Sequence, residues 1–252
     1  MESIPVPELQ LAGEVPLPSP IQMALDEVLL DAVAGDRRPP LLRFWGWTEP
    51  TLVLGSNQAV ANEVDLEAAG RHAFGVVRRL SGGGTMLAEP GRTITWSLVM
   101  PEAAVAGMSF IESFAFLDRW AVEALRALGV EAGYRPINDI VSPAGKIAGA
   151  AQARRRGALL HHVTMAYSMD PDLLRELIRI GRPSLSERGV RSAEKKVSPL
   201  DTLVTATREE VVAALSESSG AAPGGVLEAE LHAAATLAQA KYSRRDWIFR
   251  LP

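Results

Sequence analysis

Apolar positions along this chain fall into alternating helical and strand-like periods. Ile21, Ala24, Leu25, Val28, Leu29 and Ala32 recur at helical spacing after Ser19-Pro20-Ile21-Gln22. In that start Ser19 is the predicted cap, Pro20 lies in the first turn, and Gln22 closes a capping box; Gly35 is the predicted stop. Leu41–Trp47 and Thr51–Gly55 are strand-like runs divided by Glu49-Pro50, which predicts a hairpin or tight turn. Asp65–His72 is a short helix, and Phe74–Arg79 and Thr93–Met100 are strands. Ser109–Leu128 is the clearest helix, with Ser109 and Glu112 as a capping box and Phe110, Phe114, Leu117, Leu125 and Leu128 on one face. A β-hairpin follows, from Asn138-Asp139-Ile140-Val141 through the turn Ser142–Gly145 into Lys146–Gln152. Ala158–Met169 is one more strand, and Asp170 caps a helix bearing Leu173, Leu174, Leu177 and Ile178. Thr207 and Glu210 open another capped helix, and Val226–Tyr242 reads as helical.

Strand pairs joined by short turns and interleaved with helices predict an α+β fold with a mixed, largely antiparallel sheet flanked by helices. Residues 1–18 are proline-rich and read as an extended N-terminal arm; the whole of 1–252 reads as one catalytic domain. Arg182–Pro199 is basic and polar, a solvated loop by default and a docking surface for an acidic partner as the second reading.

Composition narrows the function classes. The 252 residues carry a formal net charge of -4, which argues against nucleic-acid binding as the main task. There is no cysteine, so no disulfide, thiolate metal site or cysteine nucleophile is available, and this fits a cytoplasmic protein. The start, MESIPVPELQ, does not read as a signal peptide, and no apolar run is long enough to span a bilayer.

Candidate chemistry gathers around Arg78–Gly84, RRLSGGG. Three successive glycines allow backbone to approach a ligand closely and to offer bare N–H groups; the two arginines supply positive charge. The alternative is a flexible hairpin tip. The spacing matches neither a dinucleotide fingerprint nor a Walker loop. Lys146, just past a turn and beside Ile147, Ala148, Gly149 and Ala150, is suited to neutralise a phosphate or polarise an acyl carbonyl. Asn138 and Asp139 could serve a phosphate or a metal–phosphate complex. His161 and His162 alternate across a strand, so only one faces a pocket. Ser81 and Thr85 are hydroxyl nucleophile candidates, yet neither has a histidine nearby in sequence to act as base.

RRLSGGGTM, then NDI, then GKIAGAAQARRRGALLHH, in this order, resemble the lipoate–protein ligases and octanoyltransferases, relatives of the biotin protein ligases. FWGWTEPTLVLGSNQ is similar to that family's opening strand pair, and the resemblance spans Ile21 to Met169. It implies a biotin/lipoate ligase-like catalytic domain that attaches lipoate or octanoate to a lysine of lipoyl carrier domains. These would be domains of 2-oxoacid dehydrogenases or the glycine cleavage H protein. The ligase branch implies ATP, Mg2+ and a lipoyl-AMP intermediate. Carried over by motif, Lys146 would contact the acyl carbonyl and the α-phosphate. Arg79, Ser81, Gly82, Gly83, Gly84 and Thr85 would wrap the acyl-adenylate. Asn138 and Asp139 would sit at the phosphates, with Asp139 at Mg2+. Gly149 and Ala150 would line the pocket, with His162 at its wall. The transferase branch uses a cysteine nucleophile, which this chain lacks, so the resemblance favours the ligase branch, here without its C-terminal accessory domain. A separate accessory protein for adenylation, a cysteine-independent transferase and a non-catalytic lipoyl- or nucleotide-binding module are the alternatives.

Overall fold

The computed structural model describes residues 4–252. It contains β1 (Gln10–Leu17), α1 (Ser19–Ala34), β2 (Leu41–Trp47), β3 (Thr51–Leu54), α2 (Val60–Glu63), α3 (Leu66–Arg71) and β4 (Gly75–Arg78). Next come β5 (Met86–Ala88), β6 (Thr93–Pro101), α4 (Phe110–Ala127), β7 (Gly133–Arg135), β8 (Asp139–Ser142), β9 (Gly145–Arg155) and β10 (Ala158–Ala166). The chain closes with α5 (Pro171–Leu177), α6 (Arg208–Ser218), β11 (Ala222–Pro223), α7 (Glu228–Leu237) and α8 (Arg245–Ile248). Eight strands form one sheet in the order β11-β1-β2-β6-β10-β9-β8-β7, and β4-β3-β5 form a second. β1 runs parallel to β2 and β11, and β3 parallel to β4; the other pairs are antiparallel. The expected mixed, largely antiparallel architecture is what the chain adopts.

Alternation along the strands feeds two cores. Leu42 and Phe44 of β2, with Leu159, Val163 and Met165 of β10, pack with Trp96 against Phe114, Leu117 and Trp120 of α4. Leu41, Trp45 and Leu160 face the opposite way, onto Leu25 and Leu29 of α1 and Ala234 of α7. The small sheet buries Leu52, Leu54 and Leu87 with Leu177 of α5. Burying one such leucine contributes about 1.5–3 kcal/mol. Capping boxes form at Ser109/Glu112 on α4 and Thr207/Glu210 on α6, two of the predicted helix starts, each cap stabilising its helix by about 1 kcal/mol. Asp170 caps α5 as expected, and Asp65 caps the short α3.

Four expectations are corrected. The proline-rich start is no free arm: within it Ile4, Val6 and Leu9 are core residues and β1 is a sheet strand, while residues 1–3 lie outside the described part. Ser19 makes no side-chain cap; instead its amide donates to Glu49 Oε1 at 2.5 Å. Gln22 closes no box, because its amide donates to the Gly46 carbonyl at 2.7 Å inside the core. β2 and β3 form no hairpin, since the turn at Glu49-Pro50 passes the chain from one sheet to the other. A turn signal records a reversal of direction but not the partner that each strand finds.

Candidate active site

A cavity of about 480 Å³ opens between the two sheets, over β9 and β10. The glycine run forms one wall and the β8–β9 hairpin another. Backbone from 190 to 197 crosses above, with Val190, Arg191, Ser192, Lys195 and Val197 on the lining.

The glycine run is held by its arginines rather than flanked by free charge. Arg78 is fully buried and donates to the carbonyls of Gly55, Gln58 and Ile248 at 2.7–2.8 Å. Arg79 donates to the carbonyls of Gly82 at 2.5 Å, Gly84 at 2.8 Å and Val53 at 3.1 Å, and to Ser81 Oγ at 3.0 Å. Burial brings both guanidiniums down to about 10, still charged at neutral pH. Turning the carbonyls toward Arg79 leaves the amides of Gly82, Gly83 and Gly84 with no protein acceptor among the described residues. Gly83 adopts φ +85, a conformation that favours glycine. Gly55 permits the close approach of the run to β3, since a Cβ there would lie 2.1 Å from the Gly83 carbonyl oxygen.

Across the cavity, the hairpin presents a lysine pair on one carboxylate. Lys146 Nζ lies 2.9 Å from Asp139 Oδ1, and Lys195 Nζ lies 2.5 Å from Asp139 Oδ2. Desolvation pulls Lys146 below the usual lysine range, and Asp139 opposes that shift. Two ammoniums on one carboxylate leave a net positive charge facing the glycine amides, which is a setting for an oxyanion or phosphate. Asp139 Oδ2 accepts from Lys195, whereas the buried Oδ1 has the charge contact with Lys146 but no hydrogen-bond partner. Among the described residues no cluster of three His, Asp or Glu could hold a metal by itself, so an Mg2+ here would need substrate phosphates beside Asp139. Gly149 shapes this corner, because a Cβ there would sit 2.3 Å from Lys146 Nζ. Asn138 lines the cavity while its side-chain amide donates to the Ala150 carbonyl and its own carbonyl accepts from the Ala150 amide at 2.8 Å.

The two adjacent histidines part as the strand period requires. His161 turns to α4 and pairs with Asp118 at 2.7 Å; His162 turns to the cavity side. His162 Nδ1 is 3.0 Å from Asp26 Oδ2, and its Nε2 is 2.6 Å from Ser81 Oγ. Asp26 also accepts from Arg43 at 2.8 Å and from Ser97 Oγ at 2.7 Å. Desolvation opposes ionisation of Asp26, but Arg43 and His162 outweigh it and hold its carboxyl below the usual range. Burial likewise lowers His162, which is therefore neutral near pH 7. An ionised Asp26 can only accept, so His162 Nδ1 carries the hydrogen and Nε2 accepts from the Ser81 hydroxyl.

The structure thus brings together Arg79, Gly82–Gly84, Thr85, Asn138, Lys146, Gly149, Ala150 and His162 on one cavity. Ser81 lies directly beneath, 1 % exposed, and Asp139 lies behind the lysines, 2 % exposed. Sequence reasoning missed Asp26, Arg43, Ser192 and Lys195. A charged residue in the apolar stripe of α1 and another within LLRFWGW were the available signals for a buried pair. Ser192 had none: its Oγ accepts from the Thr85 amide at 2.8 Å and from Gln58 Nε2 at 3.0 Å and donates to Glu63, so the segment 182–199 is tied down rather than a solvated loop.

The chain belongs to the family of the lipoyl protein ligase A/B catalytic domain, matched over residues 19–219. It is 32% identical over 265 residues to the octanoyltransferase LipM of Geobacillus kaustophilus, covering 92% of this chain and 95% of that protein. Among solved structures it is similar to lipoate-protein ligase A bound with ATP, with a TM-score of 0.80, 26% identity and coverage of 97% of this chain and 100% of the other. It is also similar to Ta0514 of T. acidophilum, a putative lipoate protein ligase with bound lipoic acid, with a TM-score of 0.80, 25% identity and coverage of 96% and 99%. Among the described residues no helix is long and apolar enough to cross a membrane.

Proposed function

We propose that this chain is an acyltransferase that delivers an octanoyl or lipoyl group to a lysine of a lipoyl carrier domain, without an enzyme thiol. The carrying observation is the cavity itself, with unpaired glycine amides on one wall and the Lys146–Asp139–Lys195 cluster on the other. The likeness to LipM over nearly the whole chain supports transfer of an octanoyl group, and the absence of cysteine sets this chain apart from a thiol-based route. The acyl chain would lie along Trp45, Val53, Met86 and Ala151, with its carbonyl between the glycine amides and Lys146. When a nucleophile attacks that carbonyl, the oxygen gains negative charge; prealigned donors and a partly desolvated ammonium stabilise it with little reorganisation. The carrier domain's lysine then takes the acyl group as an amide. That domain would belong to a 2-oxoacid dehydrogenase or to the glycine cleavage H protein.

A second reading is favoured by the likeness to lipoate-protein ligase A bound with ATP: the donor is an acyl-adenylate, and the same amides and lysines hold its phosphate. The test offers the purified chain and a lipoyl carrier domain three donors: octanoyl-acyl carrier protein, synthetic lipoyl-AMP, and ATP with lipoate. Acylated carrier from octanoyl-acyl carrier protein supports the transferase. Product only from lipoyl-AMP, or from ATP with lipoate, moves the assignment to the ligase, the former implying a separate adenylating partner. Product from none overturns both.

A further inference from the structure

A chain without cysteine can still carry an acyl group on a hydroxyl, and the fold assembles an activated one that spacing in the sequence conceals. Ser81 and His162 are 81 residues apart, and His162 and Asp26 are 136 apart, yet they form a continuous chain at 2.6 Å and 3.0 Å. A hydroxyl on a neutral imidazole, with that imidazole oriented by an ionised carboxylate, is the general arrangement of an activated serine. We propose that Ser81 is a catalytic nucleophile that carries the acyl group as an ester between donor and carrier lysine, with His162 as its base and Asp26 as the group that orients His162. The proposal rests on the acyl-transfer reading above.

Four features beyond the two distances support it. First, the tautomer is fixed in the required sense, because Asp26 can only accept and so leaves Nε2 to take the serine proton. Second, the imidazole is immobilised: Trp45 packs against it edge-on at 6.1 Å between centroids, and Arg43 lies 4.4 Å above the Trp45 ring. Third, Arg79 Nε donates to Ser81 Oγ at 3.0 Å, which stabilises charge on that oxygen as the proton leaves. Two of its interactions are then accounted for, and one lone pair remains for attack. Fourth, the residues directly after Ser81 are the glycines whose amides lack protein acceptors, so the group that would stabilise the tetrahedral oxygen adjoins the nucleophile. Ser81 is only 1 % exposed and lies just behind Gly82, Gly83 and His162, which do line the cavity, so attack on a carbonyl seated there requires the glycine run to give way locally, and bulk water is kept from the hydroxyl. A Cβ built at Gly82 meets nothing within 4 Å, so that side of the run is open. Exclusion of water protects an ester from hydrolysis until an amine arrives.

The steps balance as follows. Ser81 Oγ attacks the carbonyl carbon of an acyl thioester while its proton passes to His162 Nε2. The C–S bond breaks, and the departing thiolate takes that proton from His162 and leaves as a thiol. The neutral amine of the carrier lysine then attacks the serine ester and gives a proton to His162. The C–Oγ bond breaks, Ser81 recovers the proton, and the product is an amide.

The full chain is mixed with octanoyl-N-acetylcysteamine as the thioester probe, without a carrier domain, quenched in acid and weighed intact. One octanoyl group per chain is expected, on the peptide that holds Ser81. Ser81→Ala should lose the adduct and slow transfer to a carrier domain at least about 100-fold, with the circular dichroism spectrum unchanged and a melting temperature lower by a few degrees, because the change leaves His162 Nε2 and Arg79 Nε without their buried partner. Ser81→Cys should form a hydroxylamine-labile thioester instead. An adduct on Ser81 without transfer to a carrier keeps this inference and overturns the acceptor reading. Transfer by the wild type with no adduct and with Ser81→Ala near wild-type rate overturns this inference alone, leaving Ser81 to hold Arg79. Neither adduct nor transfer overturns both.

Discussion

Replacing Gly149 by alanine tests whether the position of the Lys146 ammonium, rather than its mere presence, sets the rate. A Cβ at 149 would lie 2.3 Å from Lys146 Nζ and 2.7 Å from its Cε. Ordinary contact needs about 3.5 Å, so the ammonium must retreat by roughly 1.2 Å. The lysine tip is flexible, and the retreat costs little folding energy. Its 2.9 Å pairing with Asp139 is broken or re-aimed, however. Misplacing a charge-stabilising group by about 1 Å commonly slows a reaction about 100-fold. Gly149→Ala should therefore lose about that factor in octanoyl transfer, read by mass spectrometry of the carrier domain, while its melting temperature stays within about 2 °C of the wild type. The double variant with Lys146→Ala should be no slower than Lys146→Ala alone, because both changes remove the same interaction. Wild-type speed in Gly149→Ala would refute the reasoning. So would a further large loss in the double variant, which would mean that the glycine meets the ligand directly.

Other perturbations separate the remaining parts. Lys146→Ala should slow transfer at least about 100-fold with the circular dichroism spectrum unchanged; near wild-type transfer would remove the lysine from the chemistry. Gly83→Val places a side chain 3.1 Å from Arg79 Nη2 at φ +85. It should cost about 1–2 kcal/mol in urea unfolding and abolish calorimetric binding of a non-hydrolysable lipoyl-AMP analogue, whereas unchanged affinity would leave the run as a plain turn. Asp26→Ala strands the buried Arg43 and should cost about 3–5 kcal/mol, and a loss below 1 kcal/mol would contradict the buried pair. Both groups at that pair predict the same acid response. Asp26, lowered from 3.8, stabilises the fold fully above that value and loses this as pH falls through its folded value. His162, lowered from 6.5, takes up its proton more readily when unfolded, so stability also falls as pH drops below 6.5. Urea midpoints that rise as pH falls from 6.5 to about 4 would contradict the His162 sign, and midpoints that rise as pH falls further below 3.8 would contradict the Asp26 sign.

Much of the architecture was legible because local chemistry and tertiary position agree. Ser142–Gly145 has turn chemistry, so the hairpin carrying Asp139 and Lys146 was readable, as were the helix starts at Ser109 and Thr207. The glycine run was readable as a place of close approach, and Gly55 against the Gly83 carbonyl shows what it approaches. Sequence reveals the charge of its arginines but not which acceptors are nearest. Arg78 and Arg79 direct most of their donors to backbone carbonyls. Ser81 was set aside as a nucleophile because its base lies on β10 and its orienting carboxylate on α1, a relation that only the sheet order creates.

That sheet order also explains why one region serves stability and chemistry together. α1 packs across β2, β6 and β10, so one helical carboxylate reaches Arg43 on β2, Ser97 on β6 and His162 on β10. Each of those side chains lies on the same face because β2 pairs Arg43 with Ser97, and β6 pairs Ser97 with His162. The register that buries Trp45 and Leu160 against α1 is thus the register that aligns His162 with Asp26. A slip of β10 by one residue would send His162 to the α4 side and turn His161 away from Asp118, and a slip of β2 would strand Arg43 in the other core. The polar chain therefore penalises wrong pairings of the central strands more heavily than apolar residues would, since each misplaced member is a buried charge or an unpaired donor. Arg79 extends the same constraint from His162 through Ser81 to the carbonyls of Gly82 and Gly84. The shape of the glycine wall is in this way set by the packing of α1 on the same face of the sheet.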